Sequence, residues 1–233
     1  MVYCENENPG RRRPRPIRPS GVMIDVQTGA SFGLSLTTDG GIVVTVTEGG
    51  RAAMPKVMSK KAFLALVQQF TAVQAVGTSA VRGQRSGTLG AIHAYLGRLR
   101  LDPLAGMDRI DYTRWLDVHT VRLQKKLRGR QMPWGIARKA MNLFMRSCLY
   151  NTYLSRAFHL ARVQRHMEIP LDGAVARGLK RRAGRGKLPQ WPGLSWLKAD
   201  VSLQYQDQAT TCVRSLGLPG RVFLDNYLWL ENR

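Results

Sequence analysis

Residues 133–154 read PWGIARKAMNLFMRSCLYNTYL, and this stretch predicts a long amphipathic helix. Ile136, Ala140, Leu143, Phe144, Cys148 and Leu149 recur at three- and four-residue spacing and fall on one apolar side, with Arg138, Asn142 and Arg146 on another. Pro133 suits the first turn of such a helix, where a missing N–H costs nothing. Lys139 therefore lies within about two turns of the helix start. There the positive end of the helix dipole, together with the neighbouring Arg138, disfavours the ammonium form. A lysine whose pKa is lowered in this way attacks carbon as a free amine.

A second segment, EIPLDGAVARGLKRR over 168–182, follows after a connection. Ile169-Pro170-Leu171 is a short extended run, and Gly173-Ala174-Val175-Ala176 opens a helix, so Asp172 reads as its N-cap. Backbone N–H groups hold such a carboxylate ionised and fixed in direction, ready to face a developing cation. Taken singly, each residue also has a plainer reading: a solvated lysine on a helix, and a cap worth roughly 1 kcal/mol.

Charge narrows the partner. The chain has 233 residues, with 36 basic against 15 acidic, a net charge of +21. Such a balance points to a polyanion, nucleic acid before an acidic protein or a membrane surface. The cations concentrate on either side of the Lys139/Asp172 pair. Lys125, Lys126, Arg128, Arg130 and Arg138 come before or beside the lysine, and Arg177, Arg181, Arg185 and Lys187 follow the aspartate. Glycines alternate with cations in Arg128-Gly129-Arg130 and Gly184-Arg185-Gly186-Lys187, which lets backbone approach phosphates closely. These residues are the expected DNA contacts. Cys148 and Cys212 fall on apolar helix faces and read as buried thiols of a reducing cytoplasm, and the three cysteines have no metal spacing. No apolar run approaches the roughly 18 residues that span a bilayer. The protein is expected to be cytoplasmic, close to the nucleoid, and monomeric.

In chain order, residues 1–19 read as a disordered basic arm built around Arg11-Arg12-Arg13. Residues 20–75 read as a small β3α module. Alternation at Val22, Ile24 and Val26, at Phe32, Leu34 and Leu36, and at Ile42, Val44 and Val46 predicts an antiparallel meander with a hairpin at Asp39-Gly40-Gly41, followed by a helix from Ser59. Residues 76–88 read as a linker or DNA-facing loop, and 89–233 as a helical domain. His93 and His119 are assigned to helix faces rather than to catalysis. Asp200 is expected to cap a late helix whose face runs Val201, Tyr205, Ala209, Cys212, Val213 and Leu216. Trp134, Trp191 and Trp196 are the candidates to line a base pocket, with core packing as the commoner role of tryptophan.

Three pieces carry a resemblance to a known family. They are Arg138-Lys139-Ala140-Met141-Asn142-Leu143-Phe144, then Ile169-Pro170-Leu171-Asp172-Gly173-Ala174-Val175-Ala176-Arg177, and the tail from Tyr205-Gln206 to Phe223-Leu224-Asp225-Asn226-Tyr227-Leu228-Trp229-Leu230. In this order they resemble the helix-hairpin-helix DNA glycosylase superfamily, most closely the archaeal 8-oxoguanine DNA glycosylases that are also AP lyases. The likeness covers residues of about 120 to 233; Ala140 stands where the family prefers a hydroxyl residue. It implies a mostly α, helix-hairpin-helix glycosylase-like domain acting on double-stranded DNA that holds a damaged or modified purine. By resemblance Lys139 forms the Schiff base, Asp172 is the catalytic carboxylate, and no metal or organic cofactor is required. The alternatives are a non-enzymatic basic DNA- or RNA-binding protein, or a glycosylase-like host-defence protein acting on a modified base.

Overall fold

A computed structural model describes the backbone of strands at 23–26, 30–36, 42–48, 51–52 and 56–57, and the chain over 58–126 and 132–231. Its contacts fall into two units, Met1–Lys60 and Lys61–Arg233. In the first, β1 (Met23–Val26), β2 (Ala30–Leu36) and β3 (Ile42–Glu48) pair antiparallel in sequence order. The register sets Phe32, Leu34 and Leu36 of β2 opposite Val46, Val44 and Ile42 of β3. Two short strands, β4 (Arg51–Ala52) and β5 (Lys56–Val57), each pair with β3. The arm at 1–19, Val22 and the turn at Asp39-Gly40-Gly41 lie outside the described residues.

The second unit is helical. It comprises α1 (Lys60–Ala75), α2 (Thr88–Leu96), α3 (Arg109–Lys125), α4 (Trp134–Tyr150), α5 (Thr152–Ala157), α6 (Gly173–Ala183), α7 (Ala199–Ser215) and α8 (Arg221–Glu231). Among the described residues no helix is long and apolar enough to cross a membrane.

α1 belongs with these helices rather than with the strands before it. Its Ala72, and Val76 just beyond it, are fully buried in the helical core. The buried Gln68 adds a polar tie, its Nε2 donating to the carbonyls of Leu96 and Leu99 at 3.0 and 2.7 Å. Two bonds from one buried amide fix α1 against the end of α2 and leave none of its donors stranded. The segment expected to be a linker is accordingly packed: Ala80, in a 3-10 turn at Thr78–Val81, and Thr88 are both buried.

Two core clusters form within this unit. The first gathers around α4, where Ile136, Ala140, Met141, Phe144 and Cys148 meet Ile92, Leu96, Tyr112, Leu116 and Leu123. The second joins Ile169, Leu171, Val175 and Leu179 to Tyr205, Ala209, Leu224 and Leu228 of α7 and α8. Cys148 and Cys212 are free and buried, and burial pushes the Cys148 thiol well up, so Cys148 is not poised as a nucleophile. Asp200 sits in the first turn of α7 rather than at its cap, which is Lys198 and makes no side-chain cap bond. The carboxylate still complements the positive helix end.

α4 departs from a simple amphipathic helix. Arg138 and Asn142, read from sequence as its polar side, are 5% and 2% exposed. Its first turn is held to the segment around Leu194–Leu197 by close backbone packing at Gly135. A β-carbon there would lie 2.7 Å from Leu197 Cβ and would also collide with the Leu194 carbonyl oxygen. A backbone oxygen cannot turn aside as a flexible side chain does. Gly135→Ala is therefore expected to cost about 1–3 kcal/mol, read as a lower midpoint in chemical denaturation; an unchanged midpoint would show that the Leu194 segment yields freely.

Candidate active site

The seam between the two cores brings Lys139 and Asp172 together. Lys139 projects from the second turn of α4, and Asp172 is the N-cap of α6, reached through the buried Ile169-Pro170-Leu171 run. Lys139 Nζ donates to Asp172 Oδ2 at 3.1 Å, across 33 residues of sequence. The other carboxylate oxygen is already engaged: Oδ1 accepts the N–H groups of Ala174 and Val175 at 2.9 and 3.0 Å. One oxygen anchors the side chain and the other faces the lysine. The two side chains are 13% and 35% exposed, so the pair is sheltered but reachable.

Burial alone would raise the Asp172 carboxyl. Lys139 and the helix N–H groups outweigh it and hold the group below the ordinary aspartate value. Asp172 is thus ionised at neutral pH. Because its folded pKa is depressed, its stabilisation is present above the unfolded aspartate pKa and is lost as pH falls through the folded one. Substitution separates cap from charge. Asp172→Ala is expected to cost about 1 kcal/mol of stability, whereas Asp172→Asn keeps a good cap and stays near wild type at neutral pH. The Asn variant also loses the acid-side decline that this carboxylate contributes, which thermal melts across the acid range measure.

Other groups border the pair. A β-carbon on Gly173 would lie 3.5 Å from Arg177 Nη1 and 3.9 Å from Trp191 Nε1, so both end beside the first turn of α6. Trp191 itself stands edge-on to Tyr205, with ring centroids 5.4 Å apart. Two turns further along α4, Arg146 pairs with Asp225 of α8 and lies within the field of Asp172. Asp225, a residue of the tail motif, thereby serves as an arginine partner. Tyr150 continues the row and accepts a hydrogen bond from Asn226 at 3.1 Å. A polar strip runs along α4 from Lys139 to Tyr150.

Arg138 is not a DNA contact. It is buried, and its guanidinium makes a two-pronged pair with Glu168 at 2.8 and 2.7 Å, while Nη1 reaches Asp117 at 2.7 Å and Thr120 at 3.2 Å. The cation invoked beside Lys139 is therefore already matched by two carboxylates. Asn142 adds a bond to Glu168 at 2.9 Å. Burial would raise the Glu168 carboxyl, but Arg138 and Asn142 hold it low, so this buried cluster carries its charges paired. It ties α3, α4 and the segment leading to Asp172 into one support. Nothing in the sequence signalled Glu168, which stands 30 residues from Arg138.

The remaining expected contacts divide. Lys125, Lys126, Arg177, Arg181, Arg185 and Lys187 are exposed, while Arg128 and Arg130 lie outside the described residues. Trp134 is half-buried, with the Arg138 guanidinium 5.4 Å from its ring centroid, and packs on the second core. Trp196 is 78% exposed. Of the three tryptophans, Trp191 is the one placed beside Asp172. Among the described residues no group of three His, Cys, Asp or Glu side chains is arranged to hold a metal ion. No protein-family model matches the chain, and neither does a curated protein or a solved structure.

Proposed function

We propose that this chain is a DNA-processing enzyme that works through a lysine amine and an ionised aspartate. The observation that carries the reading is the 3.1 Å Lys139–Asp172 contact, made across 33 residues, with the carboxylate fixed by the helix it caps. A surface lysine and an ordinary cap have no reason to meet at the seam of two cores. The particular activity proposed is that of a helix-hairpin-helix glycosylase with AP lyase activity, excising a damaged or modified purine, 8-oxoguanine by resemblance. The strands at the N-terminus would be an accessory antiparallel meander, and the location cytoplasmic.

In this mechanism the purine leaves with the electrons of its bond to C1′, and Asp172 faces the positive charge that develops on the sugar. A depressed pKa suits that electrostatic role, because the carboxylate stays charged throughout. The Lys139 amine bonds to C1′ as one of its N–H protons passes through solvent to the departed purine. The C1′–O4′ bond then breaks, the second N–H proton going to O4′, and the opened sugar is held as an imine. Loss of a proton from C2′ then expels the 3′ phosphate by β-elimination. Arg177 and Trp191, at the rim beside Gly173, would meet a phosphate and an everted base. The flanking exposed cations grip the backbone, so duplex affinity falls steeply with salt.

Borohydride trapping tests the proposal. The full chain is incubated with duplex DNA carrying one 8-oxoguanine, and in parallel with an abasic-site duplex. A covalent adduct on both is the expected result, and an adduct on the abasic duplex alone would retain the lyase and remove 8-oxoguanine as substrate. Tight, salt-sensitive binding without an adduct on either would replace the enzyme by a non-enzymatic DNA-binding protein.

A further inference from the structure

A large cavity among the described residues lies elsewhere. It is a groove of about 990 Å³ between α2, the turn after it and α3. Geometry on α3 separates it from the Lys139 site. Asp117 and Thr120 turn toward Arg138 of α4, whereas Trp115, His119, Arg122 and Lys126, at four- and three-residue spacing, line the groove. The volume is at the top of the roughly 300–1,000 Å³ that a small-molecule site occupies, enough for more than one nucleotide.

The lining combines two chemistries. Arg98, Arg100, Arg122, Lys125 and Lys126 supply positive charge; among the described residues no acidic residue lines the groove and none of the five is in an ion pair. Between them stands an aromatic floor. Tyr95 Oη and His119 Nδ1 are 2.6 Å apart, and the His119 and Trp115 rings lie 4.7 Å apart between centroids. Burial, then Arg122, pushes the His119 pKa down, and burial raises that of Tyr95, so both rings are neutral at neutral pH. An uncharged aromatic surface rimmed by cations that have no ion-pair partner among the described residues is complementary to a base with phosphates on either side.

We infer that this groove binds a short stretch of single-stranded nucleic acid, with bases stacked on Trp115 and His119 and phosphates on Arg98, Arg100 and Arg122. Duplex DNA satisfies the cations but keeps its bases stacked inside, so it leaves the floor unused. A lipid surface favours protruding apolar side chains rather than recessed rings. The inference does not rest on the chemistry of Lys139.

Fluorescence anisotropy of a labelled oligothymidylate at low salt, with a labelled duplex beside it, tests the groove in the full chain. Trp115→Ala is expected to weaken single-strand binding about 5- to 150-fold, the loss of one stacked base, and Trp115→Phe to restore most of it. The exposed pair Arg98→Glu and Arg122→Glu is expected to weaken it more than about tenfold while changing duplex affinity far less. This pair carries the test if Trp115→Ala proves unfolded by circular dichroism. Unchanged single-strand affinity in the charge-reversed protein, equal losses on both probes, or full competition by thymidine monophosphate or phosphatidylserine vesicles would each overturn the inference.

Discussion

Lys139→Gln is expected to lower strand cleavage and borohydride trapping by on the order of 10³-fold or more, the scale seen when a covalent nucleophile is removed. The glutamine amide still reaches toward Asp172 but has no amine to form an imine. Binding is expected to survive. Lys139 is 13% exposed and turned to Asp172, so it contributes little to the phosphate grip, and the salt slope of duplex binding should change by no more than about one counterion. Stability should change by no more than about 1 kcal/mol, because Asp172 keeps both N–H partners and is 35% exposed. Trapping at the wild-type level in a folded Lys139→Gln protein would end the mechanism, whatever the DNA affinity.

Arg138→Met is the substitution with the largest expected effect on stability. Among the described residues it leaves Glu168, 13% exposed, facing Asn142 and the more distant Arg221. Removing one member of a buried pair costs about 3–5 kcal/mol; the low end applies here, since the second partner, Asp117, is 57% exposed and is simply rehydrated. The sign with pH follows. With its guanidinium gone, the burial of Glu168 is no longer outweighed and its folded pKa rises above the unfolded one. The unfolded chain then releases that proton first as pH increases, so the deficit grows with pH and shrinks toward the acid range. Adding Glu168→Leu removes the stranded charge and should recover a large part of the loss. Denaturant melts of the single and double variants at two pH values measure all of this. An equal deficit at both pH values would show that packing around Arg138, not its charge, is what the helix needs.

The seam also explains why the pair depends on more than its two residues. α4 is set by the first core, and Asp172 by the Ile169-Pro170-Leu171 run buried in the second. Their spacing is therefore the register between two cores, held by Arg138–Glu168 on one side and Gly135 against Leu194 and Leu197 on the other. Substitutions at these supports act on the candidate site through position.

Local signals in the sequence had local outcomes. The spacing of Ile136, Ala140, Phe144 and Cys148 determined the core face of α4, and Asp172 before Gly173-Ala174-Val175 determined a cap, because both depend on residues within one or two turns. The excess of cations likewise belongs to the sequence alone. What required the tertiary structure was every pairing across many residues. A polar residue at a helical position reads as exposed, so the sequence presents Arg138 as a DNA contact; only the approach of Glu168 and Asp117 makes its burial tolerable. The strip of Lys139, Arg146 and Tyr150 acquires its partners from α6 and α8, and the basic groove exists only where α2 and α3 lie side by side. Periodicity determines which face of a helix is apolar, but packing decides which polar groups a second helix brings to it.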